Sequence, residues 1–241
     1  MYPSVKSYFI AFNEPIETRV EYMYLDIKGL VTIGIGNLID IENAGDKKNL
    51  EKVMKALVTL PFVYKKGQRD AGKPATKADI EAEWKVVKSE KARAKQGYTA
   101  FAPITTLELQ NIDALVFKTV HAMEQELKMD PAFQGFDRWP ADAQLGLLSM
   151  SWALGTTKLK ANWPNFKTAC QKQDFDKILK HCEIRTSDNP GVAKRNTANR
   201  RLFNNAAAVL ANAGKNPAQN INERMTLYYP GMMLKKLTVR G

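Results

Sequence analysis

The stretch from Pro140 to Gly155 constrains the fold of this chain more than any other. Leu145, Leu147, Leu148, Met150, Trp152 and Leu154 fall nearly all round a helix of ordinary pitch. A helix with one apolar stripe lies on a surface; one that is apolar all round is buried by other elements. Pro140 suits the helix start, because the N–H it lacks is one the first turn leaves unpaired anyway, and Gly155 suits the stop. A chain of 241 residues, 44% of them hydrophobic, has enough apolar surface to enclose such a helix.

The covering faces are readable. Thr76-Lys77-Ala78-Asp79 is a capping signal, followed by Ile80, Trp84 and Val87 at helical spacing. Thr105 with Glu108 forms a second capping box, ahead of a long stripe of Leu109, Ile112, Val116, Val120, Met123 and Leu127. Phe175, Ile178, Leu179 and Cys182 predict a short helix after Asp174. Thr197 is placed as the cap of a last helix, running through Leu210 to about Gly214. Everything after about residue 46 thus reads as helix, with a loop over 65–77.

Residues 20–35 follow a different period. Val20–Leu25 is rich in aromatic and β-favouring residues. Asp26-Ile27-Lys28-Gly29 is a turn signal, with Gly29 free to take positive φ. Leu30–Ile35 then alternates: Val31, Ile33 and Ile35 point one way, and Leu30, Thr32 and Gly34 the other. This predicts a hairpin with one apolar face, its other face open enough to receive something bulky. The expected fold class is α+β, mostly helical, in one domain over 1–241. A small hairpin lobe (about 18–60) is set against a larger helical lobe (about 76–214), with a cleft between them and a C-terminal extension at 215–241. That extension carries Tyr228-Tyr229-Pro230-Gly231, to which no role is assigned.

Three residues around the hairpin have the chemistry for glycoside hydrolysis, which needs one protonated carboxyl and one ionised carboxyl. Glu17, just before the first strand and at the end of a first helix, suits the acid, since partial burial favours the protonated form. Asp26, at the turn among backbone N–H groups, suits the ionised partner. Thr32, on the returning strand, is placed to hold a water. Glu14 and Glu21 compete for the acid role. Pro15 near a helix start disfavours Glu14, and Glu21 falls within the strand. Gly34 and Gly36 lack the third glycine and following helix of a dinucleotide loop.

Glu17, Tyr24-Leu25-Asp26, Gly29 and Thr32-Ile33-Gly34-Ile35-Gly36-Asn37 together resemble the signature of phage-type lysozymes. Pro140–Gly155 resembles that family's central buried helix. Phe166 and Arg195-Asn196-Thr197-Ala198-Asn199-Arg200-Arg201 resemble its later segments, so the likeness spans roughly 8–212. The resemblance implies a muramidase cutting the β-1,4 bond between N-acetylmuramic acid and N-acetylglucosamine, with inversion. Glu17 would be the acid, Asp26 and Thr32 would place the water, and Tyr24, Gly34 and Asn37 would contact substrate. Two positions depart from the pattern: Thr18 stands where the family often has Gly after the acid, and Asn37 where it often has His. The wording of Met23–Asp26 and Gly29–Thr32 is nearer to antibacterial effector relatives.

The net charge of +11 and pI of about 9.5 fit a polyanionic partner such as a bacterial wall. Lys and Arg outnumber Asp and Glu over 61–99, and Lys65, Lys66, Lys85 and Lys88 are candidates for a wall-docking surface. Nucleic acid is not expected as a partner. Of the aromatics near those lysines, Tyr98 and Trp84, the latter reads as core. The two cysteines, Cys170 and Cys182, are too few for a disulfide scaffold and are expected as thiols. The two histidines, His121 and His181, make no zinc-site spacing. Neither metal nor cofactor is expected, and no apolar run is long enough for a membrane helix. A monomer is expected, made in the cytoplasm without a classical signal peptide and acting on the periplasmic or extracellular wall. A phage endolysin or an injected antibacterial effector fits this; an effector would come with a cognate immunity protein. The competing function class is a non-catalytic wall-binding module on the same scaffold.

Overall fold

The computed structural model describes residues 1–41, 46–187, 191–212 and 217–232. The chain opens with helix α1 (Pro3–Glu17). Strands β1 (Val20–Leu25), β2 (Val31–Gly34) and β3 (Asn37–Leu38) then form an antiparallel sheet in the order β1-β2-β3. Helix α2 (Asp46–Leu57), strand β4 (Val63–Tyr64) and helix α3 (Lys77–Ser89) follow. Next come 3-10 turns over Lys91–Ala100, strand β5 (Thr105–Thr106) and the long helix α4 (Leu109–Lys128). The rest is helical: α5 (Ala141–Leu154), α6 (Thr156–Asn162), α7 (Pro164–Gln171), α8 (Phe175–His181), α9 (Val192–Asn212) and α10 (Pro217–Met225). The described chain is thus mostly helical with small antiparallel sheets, an α+β composition. No helix among the described residues is long and apolar enough to cross a membrane.

The chain divides into two compact units, with boundaries falling inside α1 and α4. One unit is Glu17–Thr119; the other joins Met1–Ile16 to Val120–Gly241.

In the sheet-bearing unit the hairpin forms as its turn residues dictate. The Asp26 N–H donates to Leu30 O at 2.9 Å, Gly29 N–H donates to Asp26 O at 2.9 Å, and Gly29 takes φ +73. Tyr24 lies opposite Thr32 and Leu25 opposite Val31, with a register shift between Val20 and Tyr24. The open face expected on β2 is absent. Val31, Thr32, Ile33 and Gly34 are all buried: β3 pairs along the edge of β2, and the side chains of Asn37 and Ile112 come up against Gly34. Asp40, just past β3, ties the sheet to α3. Its carboxylate accepts from Val31 N–H (2.9 Å) and Trp84 Nε1 (2.9 Å) and pairs with Lys88. Thr76 caps α3 as its sequence implies, accepting from Asp79 N–H, and Ile80, Trp84 and Val87 are buried.

Two expectations fail here. Residues 63–64 and 105–106 pair as β4–β5, so the chain after residue 46 is not all helix. Thr105 is therefore a strand residue opposite Tyr64 rather than a cap; α4 starts at Leu109, with the Glu108 carbonyl accepting from Asn111 and Ile112 N–H. The β-branched threonines meet a strand partner that no local pattern reveals.

The other unit is built round α5, every residue of which from Ala141 to Trp152 is buried. Pro140 directly precedes it, and Gly155 ends it at φ +78. Gly146 lets α9 approach closely: a Cβ there would stand 2.9 Å from Phe203 Cζ. The polar residues of α5 are all partnered. Gln144 donates to Phe136 O, Ser151 to Leu147 O, and Asp142 accepts from Asn205 Nδ2. Asp174 caps α8 through Lys177 N–H. Thr197 is not a cap: α9 begins at Val192, and the Thr197 hydroxyl donates to Ala193 O inside the helix. The helix runs to Asn212, and the expected stop at Gly214 lies outside the described residues. Cys170 and Cys182 are buried free thiols, both pushed up by burial, Cys182 to about 11.

The C-terminal segment, without a role from sequence, straps onto this unit. Tyr228 and Tyr229 N–H both donate to Asp142, and the Tyr229 ring packs edge-on against Phe12 (5.5 Å) and Tyr8 (6.3 Å). The Arg201 guanidinium lies 5.3 Å from the centre of the Tyr229 ring.

Candidate functional site

Glu17 is the last residue of α1 and half-buried. The chain leaves that helix by an unusual step, with Thr18 at φ +62. This is the left-handed conformation that glycine takes freely and a β-branched residue takes only under strain. Thr18 thus follows a backbone path that a glycine would take freely. Arg19, next along, pairs with Asp113 on α4 at 2.6 Å and fastens the exit.

The Glu17 carboxyl is seated on the β2–β3 turn. Gly34 and Gly36 both take positive φ there (+70 and +75). A Cβ on Gly36 would stand 3.0 Å from Glu17 Oε2 and 3.2 Å from its Cδ, so only glycine leaves space for the carboxyl at this point. A Cβ on Gly34 would stand 3.0 Å from Asn37 Oδ1 and 3.2 Å from an Ile112 methyl.

Asp26 sits at the hairpin tip, half-buried. Its Oδ1 accepts from Lys28 N–H and Leu30 N–H, both at 2.9 Å. The carboxylate is therefore oriented by backbone, with Oδ2 left over for other donors. On β1, the strand that leads from one carboxyl to the other, lies Tyr24, buried to 8% exposure. Burial raises its phenol well above the ordinary value, and the charges of Glu17, Asp26 and Tyr98, in that order, add to the effect. Both carboxyls are thus near enough to one phenol to disfavour its ionisation.

Thr32 faces Tyr24 across the hairpin but is only 4% exposed, its hydroxyl donating to Leu30 O at 3.2 Å. Asn37 is 3% exposed; its Nδ2 donates to Thr119 Oγ1 at 3.2 Å. That threonine hydroxyl gives its own proton to Leu115 O, so Asn37 has to be the donor and its Oδ1 is left facing Gly34 without a hydrogen bond. Gly34 and Asn37 are therefore packed against each other at the buried side of the β2–β3 turn. Glu21 instead lies on the β5 side of β1, where its carbonyl accepts from Leu107 N–H and from the Thr106 hydroxyl.

Further residues here escaped the sequence reading as members of the site. Tyr98, on the 3-10 segment, packs edge-on against Tyr24 with centroids 6.1 Å apart, and the Tyr22 hydroxyl donates to the Tyr98 carbonyl. The only signal for them was the aromatic content of Val20–Leu25 and of the lysine-rich stretch. Lys88, expected at a wall-docking surface, is instead half-buried: it pairs with the buried Asp40 and donates to Gly29 O at 3.2 Å, so it is committed to the fold. Lys85 is exposed and pairs with Glu81 along α3.

A carboxyl held in a glycine-lined seat and a backbone-oriented carboxylate, sharing one buried tyrosine, can support paired acid and base chemistry. No model of a known protein family matches the sequence, and no curated protein matches it either.

Proposed function

We propose that the protein is a bacteriolytic peptidoglycan hydrolase, a muramidase with a lysozyme-like fold, cutting the β-1,4 bond between N-acetylmuramic acid and N-acetylglucosamine. The observation that carries this reading is the hairpin that seats the Glu17 carboxyl on Gly36 ahead of β1 and holds Asp26 Oδ1 by two backbone N–H groups after it, with the buried Tyr24 on the strand that joins them. Two carboxyls held at one place by different surroundings are what glycoside cleavage requires.

In this mechanism Glu17 gives its proton to the glycosidic oxygen as the bond from muramic C1 breaks. Water adds to C1 and passes a proton to Asp26, whose Oδ1 is held by two N–H groups while Oδ2 faces the water. Solvent then returns a proton to Glu17 and takes one from Asp26, and the sum is hydrolysis. Thr32, opposite Tyr24, acts on the water only through a small opening of the hairpin, given its burial. Gly34 and Asn37 shape the turn on which Gly36 seats Glu17, and Tyr24 borders the bond being cut.

The test is digestion of purified peptidoglycan. Wild-type protein should release soluble muropeptides. Glu17→Gln should cut the rate by at least about 10²-fold, as loss of a general acid does, with an unchanged circular dichroism spectrum. Release by Glu17→Gln at the wild-type rate removes Glu17 from the mechanism. Wall that is bound but never cut by wild type would favour a binding module.

A further inference from the structure

We infer that Tyr98 is the stacking platform of a sugar subsite beside the two carboxyls, and that Lys65 next to it takes the carboxylates of the peptide stem on muramic acid. This rests on the muramidase reading and adds to it a specificity for stem-bearing glycan.

The platform is built from several independent contacts. Tyr98 is 38% exposed, a large fraction for an aromatic residue whose ring also packs against another. Its ring meets that of Tyr24 in a T-shaped contact, which sets the platform against the strand that joins the two carboxyls. Its backbone is fixed by the Tyr22 hydroxyl, which donates to the Tyr98 carbonyl at 3.2 Å. The segment is also tied at both ends: Arg93 pairs with Glu90 and donates to Ala100 O, and the Thr99 hydroxyl donates to Gln96 O.

Gly97 sets the direction in which Tyr98 points. It adopts φ 58, ψ −140, a conformation open essentially to glycine, and nothing stands within 4 Å of where its Cβ would be. The glycine is there for the bend rather than for space. The segment begins beside the hairpin tip, where Lys91 Cγ would be 3.8 Å from a Cβ on Gly29. It therefore runs from the Asp26 turn to Tyr98 along β1.

A pyranose presents a face of axial C–H groups, and an aromatic ring offers that face a flat, apolar and electron-rich partner. The cation of the subsite is Lys65. Its Nζ lies 5.5 Å from the centre of the Tyr22 ring, and its backbone N–H is fixed by Ile104 O at 2.9 Å. Lys65 is exposed, so the ammonium remains open to an anion. In peptidoglycan the anions nearest the sugar rings are the carboxylates of the stem peptide.

The experiment is calorimetric titration of soluble glycan strands, with stem peptides or stripped of them, into Glu17→Gln protein as the non-cleaving background. Adding Tyr98→Ala should weaken binding of both strands roughly tenfold, the effect of losing one aromatic stacking partner. Tyr98→Trp should hold the affinity within a factor of about two, since it keeps the stacking face. Lys65→Ala should weaken only the stem-bearing strands. In the cleaving background Tyr98→Ala should raise KM more than it lowers kcat. Affinity untouched by Tyr98→Ala, or a Tyr98→Trp as weak as Tyr98→Ala, overturns the platform. Equal losses on both strands from Lys65→Ala overturn the stem assignment. If wild type cleaves the strands while Tyr98→Ala binds them normally, the subsite alone fails. If wild type neither binds nor cleaves either strand, the muramidase reading fails and the subsite falls with it.

Discussion

Asp40 and Asp142 are both buried, one in each unit, and they are held in opposite ways. Asp40, in the sheet-bearing unit, faces a cation: Lys88 pairs with it while Trp84 and the Val31 N–H donate to it. Asp142, in the helical unit, faces dipoles. It accepts from Tyr228 and Tyr229 N–H and from Asn205 Nδ2, and no cation is paired with it among the described residues. Burial pushes Asp142 up to about 6, and those hydrogen bonds offset only part of the shift. The contrast extends to the backbone. The sheet-bearing unit keeps Thr18, Gly29, Gly34 and Gly36 at positive φ within one short stretch, and the helical unit spends its burial on packing α5. At these two positions a buried carboxyl is thus held by an ion pair in one unit and by hydrogen bonds alone in the other.

The largest expected effect tests the ionic half of that contrast. Lys88→Met leaves Asp40 charged and unpaired, and urea unfolding should show a loss of about 3–5 kcal/mol. The double change Asp40→Asn with Lys88→Met should recover most of it. A loss under about 1 kcal/mol for the single change would mean that the pair is solvated in solution.

Asp142 should give the opposite pH dependence from an ordinary paired carboxylate. Its folded value of about 6 lies above the ordinary 3.8, so the folded chain holds this proton more tightly than the unfolded chain. Its contribution therefore becomes more favourable as pH falls from about 6 towards about 4, and it opposes folding above that window. With a shift of about two pH units the swing is of order 2–3 kcal/mol. Unfolding of wild type and Asp142→Asn across pH 7 to 4 should show wild type gaining relative to the variant. Wild type losing ground over that range would contradict the account.

Two glycines sharpen the comparison further. Gly146→Ala pushes a methyl into Phe203 and should cost about 1–3 kcal/mol, while activity per folded molecule stays the same. Gly36→Ala pushes a methyl into the Glu17 carboxyl. It should cost a similar amount of stability but lower kcat roughly tenfold or more, because the acid is displaced. Equal kinetic effects from the two would erase the distinction between the units. The smallest effect is at Thr18. Releasing its strained φ by Thr18→Gly should stabilise the chain by about 1 kcal/mol, the strain relieved less the entropy cost of glycine, and leave catalysis intact. Thermal unfolding that shows destabilisation would mean the Thr18 side chain does more than tolerate the bend.

Much of this was legible in the sequence where a signal is local. The buried helix between Pro140 and Gly155, the Asp26–Gly29 turn, the cap at Thr76 and the short helix after Asp174 each follow from residues a few positions apart. The β4–β5 pair was not legible, because two-residue strands are too short to show a period and their partners lie far apart in sequence. Thr105 and Thr197 carried the letters of a cap without its geometry. In the candidate site, Glu17 at a helix end and Asp26 at a turn could be placed from pattern alone. The burial of Thr32, Gly34 and Asn37 could not, since it depends on β3 and on Ile112 from α4. Tyr98 was hidden for the same reason: only the tertiary fold brings it to Tyr24.

The most direct measurement is mass spectrometry of peptidoglycan digested in heavy-oxygen water by wild type and by Glu17→Gln. The account predicts new muramic acid reducing ends, each carrying one heavy oxygen, from wild type only. Unlabelled anhydro ends, or labelled ends made equally well by Glu17→Gln, would contradict it.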